Sequence, residues 1–152
     1  MAIHVECLPD ETLLRKLGYT RRQVQHYQGK SRVFAKMRSL TDQVGLVDED
    51  PMAAQHPYEL SLIAQETAHG VTLRRDPNRN NKVLVLRVKL EDWIISACSA
   101  SGIEIEQYGL PPRPNDLHHV INNRISAYEH LLDTLLAAHN PGLETLRTWL
   151  HS

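Results

Sequence analysis

Three acidic residues in the first third of the chain are the residues best suited to chemistry. Glu6 follows an apolar run at 3–5, and Asp48 and Asp50 follow another at 44–47. Side chains two positions apart on an extended segment point the same way, so Asp48 and Asp50 are expected to converge. Neighbouring carboxylates repel each other unless a proton or a cation balances them. Because Mg²⁺ accepts a few carboxylates together with water and phosphate oxygens, the pattern predicts that Glu6, Asp48 and Asp50 bind Mg²⁺ or Mn²⁺.

An interpretation without a metal stays open for the same residues. The segment Asp48-Glu49-Asp50 is followed by Pro51, and a solvated acidic turn closed by proline is a common surface feature. Asp10 is expected near Glu6, in the first turn of a helix, but an acid at that position is also favoured by the positive end of the helix dipole. The sequence therefore offers both a metal site and ordinary turn chemistry at these positions.

Strands and helices alternate at the start of the chain. The predicted order is strand 3–5, helix 9–17, strand 24–27, helix 30–40 and strand 44–47. This order predicts an α/β fold with a mostly parallel, Rossmann-like sheet that is flanked by helices. In such sheets the functional crevice lies at the carboxyl ends of the strands, where Glu6 and Asp48 are expected.

The remainder of the chain is predicted to add a hairpin and several helices. A helix at 58–68 is expected to turn Leu60, Ile63, Ala64 and Thr67 inward. Later elements are strands at 71–75 and 82–88 joined by a turn, a helix at 91–101, a helical pattern from Leu117 to about His139, and a short helix at 143–150. We expect an α/β domain over 1–109, and a helical C-terminal extension over 110–152 that packs on the same domain.

The motifs and their order resemble the Toprim domains of topoisomerases, primases and OLD-type nucleases. Those domains carry a glutamate after the first strand, often as V-E-G-x-x-D, and an acidic D-x-D pair after the third. Val5-Glu6-Cys7-Leu8-Pro9-Asp10 and Val47-Asp48-Glu49-Asp50 match these motifs, with Cys7 in place of the glycine. Gly29-Lys30-Ser31 matches a Gly-Lys pair that opens the second helix in these relatives. The resemblance covers about residues 1–51.

The resemblance implies a Toprim-like fold and nuclease activity on nucleic-acid phosphodiesters. The longer D-x-D-x-x-G of topoisomerases and primases is missing, so strand passage and primer synthesis are not expected. Several related nucleases begin a helix with an acid before a tryptophan, which makes Glu91, two residues before Trp93, a further candidate metal ligand. Lys89 is expected to stabilise charge that develops on the phosphate. Ordinary helix-capping acids before a core tryptophan are the alternative.

Basic residues around the predicted hairpin are the candidate nucleic-acid contacts, namely Arg74, Arg75, Arg79 and Lys82. Lys30 is a further candidate because free N–H groups at a helix start favour phosphate. Two structural explanations are also open. The hairpin residues are charges that keep an exposed edge from pairing with other strands, and Lys30 is a surface lysine after a turn. A Walker-type phosphate loop is excluded, since Val24 stands where that loop needs a glycine.

Composition limits the partners. Apolar residues make up 41% and charged residues 23% of the 152 residues, with a net charge of −1, which is ordinary for a globular protein and gives no global basic field for coating DNA. No signal-peptide pattern or membrane-length apolar run is present, and two cysteines form no disulfide framework, so a cytoplasmic protein without membrane contact is expected. Expected partners are nucleic acid, an ATPase or effector protein as in OLD-type relatives, and a second copy through the C-terminal helices.

Two other functions fit part of the pattern. A non-catalytic Toprim-like module would bind nucleic acid or a larger partner through the basic hairpin and the C-terminal helices. A phosphoacceptor receiver domain also collects acids at strand ends. Receiver domains need paired acids after the first strand and a single acceptor after the third. In this chain Glu6 follows the first strand, and the pair Asp48 and Asp50 follows the third.

Overall fold

Six strands and seven α-helices form the structure, a computed structural model that describes residues 2–152. The strands are β1 (Ile3–Val5), β2 (Val24–His26), β3 (Val44–Asp48), β4 (Ile63–Ala68), β5 (Val71–Asp76) and β6 (Asn81–Leu86). The helices are α1 (Leu8–Lys16), α2 (Lys30–Met37), α3 (Pro57–Ser61), α4 (Leu90–Ala100), α5 (Pro114–Val120), α6 (Ile125–Ala137) and α7 (Pro141–His151). Short 3-10 helices cover Arg21–Gln23, Ile105–Tyr108 and Ile121–Asn123.

The six strands form one sheet in the order β2-β1-β3-β6-β5-β4. β2, β1, β3 and β6 are parallel, whereas β5 is antiparallel to both of its neighbours. The expected α/β fold with a mostly parallel sheet is therefore confirmed. Val5 lies beside Leu46 and Asp48 lies beside Leu86. The carboxyl ends of β1, β3 and β6 consequently meet at one edge of the sheet, which we call the carboxyl edge.

Helices cover both faces of the sheet. Leu13 and Leu14 of α1 join the larger core, together with Leu46 and Leu84 of the sheet. Phe34 of α2 belongs to a smaller core on the other face. The chain crosses from one side of β1 to the other between β2 and β3, and at such a switch point a crevice opens at the carboxyl edge.

The C-terminal helices pack into the larger core. Leu117, Tyr128, Leu132 and Leu146 are fully buried there with the residues of β1, β3 and β6. The continuous helical pattern predicted from Leu117 to about His139 is interrupted, because α5 passes into a 3-10 turn before α6 begins. The backbone of Arg124 leaves the helical region at this point (φ −131°, ψ 40°). No helix within residues 2–152 is long and apolar enough to cross a membrane.

The helix predicted at 58–68 is wrong. Only Pro57–Ser61 is helical, and Ile63–Ala68 forms the edge strand β4, which pairs with β5. Leu60 and Ile63, which were expected inside, are 67% and 56% exposed. Their helix-like spacing is overridden by main-chain pairing with β5, which the local sequence does not encode.

Candidate functional site

The ends of β1 and β3 are joined through Glu6. Its carboxylate follows β1 directly, and Oε2 accepts a hydrogen bond of 2.7 Å from the main-chain N–H of Asp48. This contact is possible because β1 and β3 are neighbouring parallel strands that end at the same level. Glu6 and Asp48 are thus brought together at the carboxyl edge.

Asp48 links β3 to the start of α4. Its Oδ1 accepts a hydrogen bond of 2.9 Å from the main-chain N–H of Leu90, the first residue of that helix. Glu91 is the next residue and is buried, with Oε1 2.6 Å from Nδ1 of His118 in α5. The edge therefore contains acids from β1, β3 and α4, and the C-terminal extension contributes a histidine.

Asp10 is the fourth acid and is almost completely buried. It lies in the first turn of α1, which begins after the extended residue Cys7. The Cys7 thiol donates a hydrogen bond of 3.2 Å to Asp10 Oδ2, whereas Asp10 Oδ1 is buried without a hydrogen-bond partner. Cys7 has φ −155° and ψ 172°, a conformation that any residue adopts, so replacing the glycine of the resembling motif does not strain this turn.

The four carboxylates, which we call the acidic cluster, are Glu6, Asp10, Asp48 and Glu91. Burial and the negative charges of Asp10, Glu6 and Glu91 together raise the pKa of Asp48 to about 9, against the main-chain N–H of Leu90, which lowers it. Burial and the charges of Glu6 and Glu91, opposed by the hydrogen bond from the Cys7 thiol, raise the pKa of Asp10 to about 7. Asp48 therefore holds a proton at neutral pH unless a cation replaces it.

Glu6 shows the same direction of shift. Burial raises its pKa, while the main-chain N–H of Asp48 and the charge of Lys30 lower it and the charge of Asp50 raises it. Beneath the cluster, the fully buried Tyr128 donates its hydroxyl hydrogen to the Pro9 carbonyl at 3.1 Å. Burial and the nearby negative charges hold the pKa of Tyr128 well above its usual range.

Asp50 stands apart from the geometry expected for it. β3 ends at Asp48, and Asp50 has a positive φ of 40°, so the extended alternation that was expected to align the two side chains stops before it. Its main-chain N–H donates to the Val88 carbonyl at 2.8 Å. Asp50 remains close enough to raise the pKa of Glu6, but it is not among the charges that most affect Asp48.

The two candidate lysines near the edge differ in their surroundings. Lys89 caps α4, is half-buried, and forms no ion pair within the described part of the chain. Lys30 is 8% exposed, and its ammonium donates to the Glu49 carbonyl at 2.8 Å and to Glu59 Oε1 at 3.1 Å. The prediction of Lys30 as a surface phosphate contact therefore needs correction, because its ammonium is engaged inside the protein.

The basic hairpin lies away from the acidic cluster. Its turn joins the end of β5 to the start of β6, whereas the cluster follows the end of β6. Arg74 and Arg75 are half-buried and Arg79 is exposed, close to Asp76. Lys82 is 6% exposed and donates to the main-chain oxygens of Leu150 and Ser152, so it too is a correction to the expected surface contacts.

Sequence reasoning missed three members of this site. It did not identify Cys7, His118 or Tyr128 as site residues. Asp10, the hydrogen-bond partner of Cys7, was expected near Glu6, and that expectation was the one usable signal for this part of the site. Within residues 2–152, no three histidine, cysteine or acidic side chains are already arranged as metal ligands. Comparisons with protein-family models, curated proteins and solved structures gave no match.

Proposed function

We propose that the chain is a Toprim-like, metal-dependent phosphoryl-transfer protein, a nuclease acting on nucleic-acid phosphodiesters. The proposal is carried by Asp10 Oδ1, a buried carboxylate oxygen without a hydrogen-bond partner inside a cluster of four acids. A buried oxygen of this kind is costly unless a proton or a cation meets it. Hard oxygen ligands at the carboxyl edge of a parallel sheet suit Mg²⁺ or Mn²⁺.

The residues of the acidic cluster fit such an ion in chemical type, and Glu6 and Asp48 are held at the same edge of the sheet by main-chain hydrogen bonds. Glu6, Asp10 and Asp48 would supply oxygen ligands, and Glu91 a fourth. When bound, the ion would activate water and neutralise charge on the scissile phosphate. Glu6 and Asp48 accept hydrogen bonds from main-chain N–H groups, which orient both carboxylates. His118 would fix the rotamer of Glu91 in the same way.

Charged residues outside the cluster would serve the substrate. Lys89 precedes α4 at the carboxyl edge and would place a positive charge near the reacting phosphate. Asp50 would act through Glu6, whose pKa it affects. Arg74, Arg75 and Arg79 belong to the hairpin, from about 10 Å (Arg74) to more than about 15 Å (Arg79) from the end of β6 along the strand by its rise per residue. They would contact the nucleic-acid backbone away from the cleaved bond.

The test is divalent-ion-dependent cleavage by matched variants. Purified protein is incubated with single- and double-stranded DNA and RNA in Mg²⁺ or in EDTA. We expect cleavage only with the ion, and a loss of about 100-fold or more in Asp48→Asn. Glu49→Gln removes an exposed acid from the same segment and should retain activity within about twofold. Equal activity in Asp48→Asn and the wild type, or no cleavage of any substrate, contradicts the proposal.

A non-catalytic Toprim-like module is the second candidate. It is favoured by the hydrogen bonds of Glu6 and Asp48, which join β1, β3 and α4 and give the two acids a structural role. Such a module would bind nucleic acid or a partner, and would work with a separate ATPase or effector. Nucleic-acid binding in EDTA that Asp48→Asn leaves unchanged, with no cleavage by the wild type, would favour this candidate.

A further inference from the structure

A surface groove of about 500 Å³ lies between α4 and α7, beside the end of β6. Its floor consists of Trp93, Ala97, Asn140 and Gly142, all of which are buried. We call it the α4–α7 groove. The volume falls in the range of sites that bind small organic molecules.

The floor of the groove is held in place by packing and hydrogen bonds. The indole N–H of Trp93 donates to the His69 carbonyl at 3.1 Å, and Asn140 caps α7 through Gly142 N–H at 3.0 Å. A Cβ at Gly142 would lie 3.3 Å from Trp93 Cζ2 and 3.2 Å from Asn140 Oδ1. Glycine therefore lets α7 approach the indole closely, so the floor is formed before any ligand binds.

The rim of the groove carries one cation and one anion. Arg87 is exposed and Asp92 is half-buried. Within residues 2–152, neither side chain forms a hydrogen bond or an ion pair, whereas the buried Lys30 and Lys82 both bind protein oxygens. A largely apolar floor between two charges of opposite sign suits a ligand with an apolar face, an anionic group and a hydrogen-bond donor.

We infer that the α4–α7 groove binds one nucleotide unit, with its base on the apolar floor, its phosphate at Arg87 and a base N–H group at Asp92. This inference rests on the proposed function, because α4 contributes both Asp92 to the groove and Glu91 to the acidic cluster. Asp92 follows Glu91 on α4, and the Val88 carbonyl at the groove wall accepts the Asp50 N–H. A base held here would position a neighbouring phosphodiester of the same strand at the carboxyl edge.

The test measures nucleotide binding without any divalent ion. Adenosine 5′-monophosphate, adenosine, inorganic phosphate and leucine are titrated separately into the protein in EDTA by calorimetry. The monophosphate should bind more tightly than each of the other three. Arg87→Gln should weaken it about tenfold or more, as expected for loss of a charge-assisted hydrogen bond. Arg22→Gln, which changes an exposed arginine elsewhere, should leave the affinity unchanged.

Two further variants test the location. Ala100→Trp places a large side chain at an exposed position of the groove wall and should abolish binding without disturbing the core. Asp92→Asn should weaken the monophosphate more than it weakens inorganic phosphate, because only the base meets this residue. Equal affinity of the monophosphate for the wild type, Arg87→Gln and Ala100→Trp overturns the inference, as does tighter binding of leucine or no binding of the monophosphate.

The two proposals fail in different ways. If the nucleotide binds in EDTA as expected but no Mg²⁺-dependent cleavage is found, the nuclease proposal falls and the groove remains a nucleotide site. If Asp48→Asn abolishes cleavage but Arg87→Gln and Ala100→Trp bind the monophosphate like the wild type, the groove inference falls and the nuclease proposal remains.

Discussion

The pKa values of two aspartates at opposite ends of the sheet shift in opposite directions. Burial acts to raise the pKa of Asp76 at the β5–β6 turn, but the Tyr58 hydroxyl and the main-chain N–H groups of Asn78 and Arg79 hold it below its ordinary value. At the carboxyl edge, burial and neighbouring acids raise the pKa of Asp48 to about 9. At the hairpin turn, hydrogen-bond donors surround Asp76. At the carboxyl edge, other acids surround Asp48.

This contrast separates two uses of buried charge. At the hairpin turn, Asn81 donates to the Met37 and Leu40 carbonyls and to the Tyr58 hydroxyl, so the polar groups satisfy one another. At the carboxyl edge, Asp10 Oδ1 has no partner. A network in which every buried polar group has a hydrogen-bond partner stabilises a fold. Buried acids without a partner or a cation destabilise it, and a bound ligand can remove that destabilisation.

Breaking the hairpin network should have the largest effect on stability. Asn81→Ala removes the donor to three protein oxygens and the acceptor of the Gln43 N–H in a fully buried position. We expect the free energy of unfolding to fall by about 3 kcal/mol or more, as measured by urea denaturation. Asn78→Ala, at an exposed position of the same turn, is the control and should change it by less than about 1 kcal/mol.

Removing the titratable carboxyl group of Asp48 should have the opposite effect and raise stability. The folded chain retains a proton on Asp48 that the unfolded chain releases, because the pKa rises from 3.8 to about 9 on folding. The free energy of unfolding should therefore fall as the pH rises through this window. Asp48→Asn should flatten that fall and stabilise the metal-free protein at pH 8 by about 2 kcal/mol. Denaturation in EDTA at pH 5 and pH 8 checks this.

A divalent ion sharpens the same measurement. Mn²⁺ should stabilise the wild type at pH 8 and have little effect on Asp48→Asn, since the ion competes with the protons of the cluster. If Asp48→Asn is less stable than the wild type at pH 8 in EDTA, repulsion between acids does not govern stability at this edge, because asparagine Oδ1 can still accept from the Leu90 N–H. The contrast between the two ends of the sheet would then be lost.

Lys82, at the hairpin end of the sheet, also makes the stability of the protein depend on pH. Here the free energy of unfolding should rise with pH, whereas for Asp48 it should fall. Burial lowers its pKa from 10.5 to about 8, so the unfolded chain binds more protons between these values and the free energy of unfolding should rise with pH there. Lys82→Met should remove this rise and change stability at pH 7 by about 1 kcal/mol. Thermal denaturation between pH 7 and pH 10 measures it, with the exposed Lys36→Met as control.

The smallest effect is expected at Cys7. Its thiol donates to Asp10 and opposes the rise in the pKa of that carboxyl, which reaches about 7. Cys7→Ala should destabilise the protein by about 1 kcal/mol and move the titration of Asp10 to higher pH, as followed by NMR. Cys7→Ser keeps a donor at the position and should titrate like the wild type. If the titration of Asp10 is unchanged in Cys7→Ala, the hydrogen bond from the thiol does not affect the pKa of that carboxyl.

Much of the fold was predictable where apolar periodicity is local. The parallel strands β1, β2 and β3 and the hairpin of β5 and β6 lie close to their predicted positions. The segment 58–68 failed, since apolar residues at helical spacing occur there in a strand that gains its pairing from β5. The break before α6 also escaped prediction, because the Arg124 guanidinium binds the distant Gly109 carbonyl at 2.7 Å.

The site was predictable only as far as strand ends define it. Glu6 and Asp48 could be placed together because neighbouring parallel strands end at one edge. The burial of Lys30 could not be anticipated, because its partner Glu59 comes from a later helix. Likewise, His118 reaches Glu91 only through the packing of the C-terminal extension, a long-range contact that no local pattern records.

Calorimetric titration of the metal-free protein with Mn²⁺ at pH 8 tests the central claim most directly. The wild type and Glu49→Gln should bind the ion with equal affinity and release protons, because the pKa of Asp48 is about 9 before binding. Asp48→Asn should weaken binding about tenfold or more. Absence of binding to the wild type, or equal affinity in Asp48→Asn, would contradict a metal site in the acidic cluster.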